Sequence, residues 1–124
     1  MFKMAVKVAV IQKPPVLLNR SGTIDAVLAS IDEAVGEGAS LLVFPEAYIP
    51  GYPTWIWRLK PGGDGTLTGE IHARLRENAV DLDNGDLQPV QKAAAKHGIT
   101  IVIGVNERDS RFSGTTLFNT VVVI

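Results

Sequence analysis

Cysteine is absent from the 124-residue sequence. No disulfide framework, thiolate-held zinc or iron–sulfur centre, or cysteine nucleophile can be built from these residues. Long apolar runs are missing as well: none approaches the roughly 18 consecutive apolar residues that read as a membrane span. The apolar opening, Met1 to Gln12, lacks the extended hydrophobic region and small-residue cleavage site of a secretory signal. Charge of one sign is also lacking. Lys and Arg number 12 and Asp and Glu 13, for a net charge of −1, so no broad field draws nucleic acid or an anionic membrane. These absences lead to the expectation of a cytoplasmic protein with neither nucleic acid nor membrane as partner. Aromatic residues are few, 6% of the chain, yet both tyrosines and both tryptophans fall between Tyr48 and Trp57.

What is present reads as one domain or part of one, since a domain takes roughly 100–200 residues. Hydrophobic residues make up 46% and charged residues 20%, ordinary values that exclude disorder as a description of the whole. Ala5 to Ile11 reads as a strand apolar on both faces, ended by Pro14-Pro15. From Gly22 to Glu37 the period changes: Ile24, Val27, Leu28, Ile31 and Val35 form a helical stripe, with Ser21 as the expected N-cap. Leu41 to Phe44 is a second short strand. Strand, helix and strand in succession predict a parallel βαβ unit.

Residues 45–69 are irregular and rich in proline and glycine, a long connection of the kind that is usually functional. Helices are predicted over 70–80 and from Leu87 to His97, the second with Pro89 in its first turn and Gly98 as its stop. Ile99 to Val105 and Thr116 to Ile124 are further strands, joined as a hairpin across 106–114, which makes the sheet mixed. The last residues, Val121 to Ile124, lie inside an apolar strand with no cap or polar tail. That predicts the N-terminal portion of a longer protein, with the domain over 1–124 incomplete at its C-terminus.

Glu46 stands out among the polar residues. It follows a buried strand immediately, and α/β sheets bind ligands outside the carboxyl ends of their strands. Walled by Phe44, Tyr48, Tyr52, Trp55 and Trp57, a carboxylate there would be partly desolvated, as suits a general base. The alternative is a strand-end carboxylate paired with Arg58.

Phe44-Pro45-Glu46-Ala47-Tyr48-Ile49-Pro50-Gly51-Tyr52-Pro53 resembles the glutamate motif of the nitrilases, in the carbon–nitrogen hydrolase superfamily. Val102-Ile103-Gly104-Val105-Asn106-Glu107-Arg108 resembles a second nitrilase block, and Gly114-Thr115-Thr116-Leu117-Phe118-Asn119-Thr120 the strand that follows it. A lone Phe-Pro-Glu would be weak; three blocks in order are specific, and the similarity runs from Val6 to Ile124. The resemblance implies an α/β fold that is the N-terminal part of an α-β-β-α sandwich. It also implies a Glu-Lys-Cys triad in which Glu46 is the base that takes the thiol proton. The lysine and cysteine of the pattern fall beyond Ile124; Lys92 and Lys96 precede the lysine position and read as solvated. Tyr52, Tyr48 and Trp55 are the implied substrate-binding residues, with Trp57 as a further candidate.

In the family, cysteine attacks the nitrile carbon to give a thioimidate, and water then yields ammonia and, through a thioester, the carboxylic acid. The implied partner is a small-molecule nitrile, the implied full-length form is a homo-oligomer, and no metal or organic cofactor is implied. Gly51-Tyr52-Pro53 and Val105-Asn106-Glu107-Arg108 favour nitrilase over amidase or carbamoylase. The chain alone, lacking lysine and cysteine of the triad, is expected to be inactive; the rival reading is a short product that acts as a binding or assembly partner.

Other signals are weaker. Asp81 to Asp86 is similar to a calcium loop, but its glycine comes a residue early and no closing Glu follows. Pro61 to Gly65 lacks the Lys-Ser/Thr of a phosphate loop. His72 and His97 have no partner pattern. Glu107 and Arg108 are candidates for a structural ion pair, and a nucleotide-binding α/β domain is the weakest reading of all.

Overall fold

The computed structural model describes residues 4–124; the start of the apolar opening, 1–3, lies outside the described residues. Strand β1 (Val8–Val10), helix α1 (Arg20–Gly36) and strand β2 (Leu41–Val43) come first. A 3-10 turn (Thr54–Trp57), helices α2 (Gly65–Asn78) and α3 (Gln88–His97), and strands β3 (Thr100–Arg108) and β4 (Leu117–Val123) follow. The strands form one sheet in the order β1-β2-β3-β4. β1, β2 and β3 run parallel, and β3 and β4 form the expected antiparallel hairpin.

The helix stripe predicted from Ile24 to Val35 is the packed side of α1, with Val27 and Ile31 fully buried. Its cap lies earlier than expected. Asn19, not Ser21, takes the extended backbone conformation, and its side chain accepts the Gly22 N–H at 2.8 Å. Ser21 is already inside the first turn and donates to the same Asn19 oxygen. α3 ends as predicted: Gly98 adopts a left-handed φ of 62°, a conformation glycine takes without a Cβ penalty. α2 starts at Gly65, before the expected residue 70; its first turn, Gly65 to Thr68, holds one apolar residue, Leu67, too little to show a period.

The two-sided burial expected of the strands is not found in β1 or β4. Ala9, Leu42, Ile101 and Ile103 join the core with Val27, Ile31, Val90 and Ala94 of α1 and α3. The alternate residues form the other face, where the register sets Val10, Val43, Val102 and Val123 in one row. Val10 is 67% and Val123 68% exposed. Both helices that meet the core cover the same side of the sheet, so among the described residues the valine row has no second layer over it. β1 is also shorter than the predicted Ala5 to Ile11. The described residues thus make one helix layer and one sheet, half of the expected α-β-β-α order.

One edge of β3 is used three times. β2 pairs with its first residues, and Phe44 N–H then reaches Val102 O at 2.8 Å. Ile49 takes the next place, donating to Gly104 O and accepting the Asn106 N–H. Val80 takes the last, donating to Asn106 O and accepting the Arg108 N–H. Residues 45–48 belong to none of these pairings and are pushed out of the ladder as a bulge.

Candidate active site

Glu46 sits in that bulge, at the carboxyl end of β2. The backbone beside it is unusual: Ala47 has a φ of 49°, a left-handed conformation that costs a residue with a Cβ roughly 1–2 kcal/mol. Held strain of this kind is found where surrounding structure fixes a functional group. Three residues of the hairpin supply the fixing.

Gly104 lies directly under the bulge. A Cβ there would be 2.5 Å from Pro45 O, 2.5 Å from Ala47 N and 2.7 Å from Glu46 Cα, closer than non-bonded atoms can stand. Only glycine lets the bulge cross β3 at this height. Asn106, two residues on, is buried, and its amide N–H₂ faces Gly51 O at 3.0 Å, Ile49 O at 3.3 Å and Ala47 O at 3.5 Å. These carbonyls belong to an irregular segment with few ladder partners, and a buried amide donor supplies what the sheet does not. Asn119 stands opposite Asn106 in the register of the hairpin. Its Nδ2 donates to Glu46 Oε1 at 2.5 Å.

The expected aromatic wall is only partly assembled. Tyr48 is 1% exposed and belongs to the core beneath the bulge. Its ring lies 5.4 Å from that of Phe44, and its hydroxyl donates to Pro14 O at 3.3 Å. Burial raises the Tyr48 phenol above its ordinary value, with the nearby Lys13 charge acting in the opposite sense. Tyr52 is 39% exposed. Trp55 is half-buried in the 3-10 turn, while Trp57 is exposed. Glu46 itself is exposed, so the desolvation expected of it is not found. Phe44 and Tyr48 turn into the core, and among the described residues no second layer stands over the carboxylate.

Among the described residues Glu46 enters no ion pair, with Arg58 or any other side chain. Glu107 and Arg108 are not partners either. Glu107 accepts from the Thr120 hydroxyl at 2.7 Å, and Arg108 donates to Arg76 O. The charged pair of this turn is Asp109 and Arg111, 2.7 Å apart, whose hydrogen bonds hold the Asp109 carboxyl below its ordinary range. The acidic turn from Asp81 to Asp86 closes on itself: Asp81 accepts from Asn84 N–H and Asp86 from Asp81 N–H. In the glycine-rich loop the Asp64 carboxylate accepts the Lys60 N–H at 2.7 Å, an acidic neighbour unsuited to a phosphate. Lys92 and Lys96 are exposed on α3.

No helix among the described residues is long and apolar enough to cross a membrane. The roles of Gly104, Asn106 and Asn119 were not predicted from the sequence. A lone glycine and two asparagines inside apolar strands were the available signal, since each weakens a strand unless something approaches it closely.

Comparison with known proteins extends these findings. The chain is 41% identical over 104 residues to an arylacetonitrilase of Aspergillus niger, covering 84% of this chain and 29% of that protein. It is 38% identical over 120 residues to an aliphatic nitrilase of Rhodococcus rhodochrous, covering 95% of this chain and 30% of that protein. It therefore spans somewhat less than a third of the length of these curated relatives. Among solved structures, a glutamine-dependent NAD(+) synthetase from Cytophaga hutchinsonii superposes with a TM-score of 0.56 at 18% identity, covering 96% of this chain and 17% of the other. The NitN amidase of Nesterenkonia sp. AN1 gives 0.50 at 21% identity, covering 85% and 34%. At such identities these structures bear on the fold alone. The family model for carbon-nitrogen hydrolases matches residues 7–124, nearly all of the described fold, and the chain belongs to that family.

Proposed function

We propose that this chain is the N-terminal, base-bearing part of a nitrilase, which converts a nitrile to a carboxylic acid and ammonia. The observation that carries the reading is the seating of Glu46 in a chain 41% identical to an arylacetonitrilase. A strand bulge, a glycine floor and two asparagines place one carboxylate at the carboxyl end of the sheet.

In this reading Glu46 takes the proton of a cysteine thiol as the sulfur attacks the nitrile carbon. A free thiol titrates at about 8.5, so a base beside it is required at neutral pH. A lysine stabilises the charge that develops on nitrogen. Both of those residues belong to the part of the family pattern after Ile124. The sulfur adds to the nitrile carbon to form a thioimidate; one water releases ammonia and leaves a thioester, and a second releases the acid and frees the thiol. Tyr52 and Trp55 border the substrate, and Tyr48 supports the bulge from below. The covering of the valine row by a second sheet supplies the desolvation that Glu46 lacks here. The full-length form is a homo-oligomer.

The test is ammonia release from arylacetonitriles and aliphatic nitriles by the product of the complete reading frame. Turnover that E46Q abolishes supports the reading. Turnover of amides alone reassigns the chain to an amidase of the same family. If the reading frame stops at residue 124, the polypeptide is a binding or assembly partner instead.

A further inference from the structure

We infer that Asn119 is the positioning residue of Glu46: from β4 its amide holds one carboxylate oxygen and leaves the other free to receive a proton. The inference rests on the nitrilase reading for its catalytic meaning, while the contact itself stands apart from it.

Three observations point the same way. The first is the contact, with Asn119 Nδ2 2.5 Å from Glu46 Oε1 across 73 residues of sequence. A carboxylate oxygen accepts and an amide N–H₂ donates, so the two groups are matched as hydrogen-bond partners. The second is the place of Asn119 in its strand. The alternate residues of β4 on the same face are Val121 and Val123, 65% and 68% exposed. An asparagine at the head of an apolar row is unfavourable under any covering layer unless its amide has a partner, and Glu46 is that partner. The third is the register. Asn119 faces Asn106 across the hairpin, and Asn106 ties down the carbonyls of Ile49 and Gly51. One pair of cross-strand residues thus fixes both the backbone of the bulge and the carboxylate it carries.

A neutral donor also suits the task. Lysine or arginine at this position would neutralise Glu46 and compete with the proton. An amide orients the carboxylate through one oxygen and leaves its charge to act.

Two experiments test the inference. In the product of the complete reading frame, N119L keeps the side-chain size and removes the donor. It is expected to lower kcat about 10- to 100-fold, the value of a hydrogen bond to a charged group, with KM nearly unchanged and an unaltered melting temperature. N119S, which keeps a donor, is expected to recover part of the loss. An undiminished kcat, or a rise in KM alone, overturns the inference, because Asn119 would then be idle or would touch substrate.

The second experiment is a pair swap in the 124-residue chain and needs no turnover. N119D sets two carboxylates together and is expected to lower the melting temperature at pH 7. Adding E46Q restores an amide and a carboxylate with their roles exchanged, and is expected to recover it. If N119D melts like the wild type, or E46Q fails to rescue it, the contact is not made. Absence of nitrile turnover in the wild type would count against the nitrilase reading and leave the swap to decide on the pair.

Discussion

Gly104 and Glu46 are in contact through backbone: a Cβ built on Gly104 would lie 2.7 Å from Glu46 Cα. The glycine is the floor on which the glutamate stands. Its replacement by alanine is therefore expected to do more than crowd a strand. The neighbours at 2.5 Å are Pro45 O and Ala47 N, and backbone atoms cannot swing aside as a side-chain tip can. G104A is expected to cost about 1–3 kcal/mol, the range for overpacking, and to lift Glu46 from its place. Urea denaturation measures the first effect and loss of nitrile turnover in the complete protein the second. G36A is the control: a Cβ at the end of α1 meets nothing within 4 Å, so it is expected to be neutral or stabilising by up to about 1 kcal/mol. Equal stability of G104A and wild type would remove the floor from the account.

Asn106 is expected to hold the loop rather than the chemistry. Its buried amide serves carbonyls from Ala47 to Gly51. In N106A the Gly51 carbonyl loses its donor inside the protein, at a cost of about 1–3 kcal/mol, while Ala47 O and Ile49 O keep the backbone N–H groups of Gly51 and Asn106. Hydrogen exchange should localise the damage. The Ile49 and Gly51 amides, bonded to Gly104 O and Ala47 O, are expected to exchange faster, while those of α1 keep their protection. Uniformly faster exchange would mean that Asn106 supports the whole core instead.

The helices, the parallel βαβ unit and the β3–β4 hairpin were legible in the sequence because each has a period or a terminator: the Ile24 to Val35 stripe, the αL glycine at 98, and the polar turn, which begins after Arg108 rather than at the expected 106 because Asn106, Glu107 and Arg108 still pair with β4. The place of Glu46 just beyond β2 was legible from the buried strand before it. The burial of β1 was misread, since Val8, Ala9 and Val10 look alike whether one or two layers cover them, and periodicity does not report which layers are present. Tyr48 was assigned to the pocket because proximity in sequence was the only guide. The bulge at 45–48 turns its ring into the core, and that turn depends on β3, more than fifty residues away. The floor at Gly104 was hidden for the same reason, being a contact between two backbones with no side-chain signature.

Tyr48 gives a pH dependence with a definite sign. Burial raises its phenol above the ordinary value of 10.0, so the folded state keeps the proton that the unfolded chain releases first. Stability from this group is complete below pH 10.0 and is lost as pH rises through the folded value. Y48F cannot ionise. It is expected to lose about 0.5–1.5 kcal/mol at pH 7, with its hydrogen bond to Pro14 O, and to decline less steeply above pH 10.0. Denaturant titrations at pH 7 and at stepped alkaline pH measure both. Parallel alkaline declines for Y48F and wild type would show that another group carries the effect.

The valine row makes one pair of substitutions act in opposite directions in two settings. Val10 and Val123 lie at the ends of the row Val10–Val43–Val102–Val123, and both are about two thirds exposed in this chain. An open apolar row of this extent favours association. The isolated chain is accordingly expected to self-associate, and V10K/V123K to make it monomeric with little change in melting temperature, since neither lysine is buried there. In the complete protein, where the proposed second sheet covers the row, the same lysines would be desolvated without partners. A cost of several kcal/mol follows, with loss of folded yield. Light scattering on the isolated chain and thermal melts of both forms measure the contrast. If the lysines are harmless in the complete protein, the row stays open to water, and the covering layer that would desolvate Glu46 lies elsewhere.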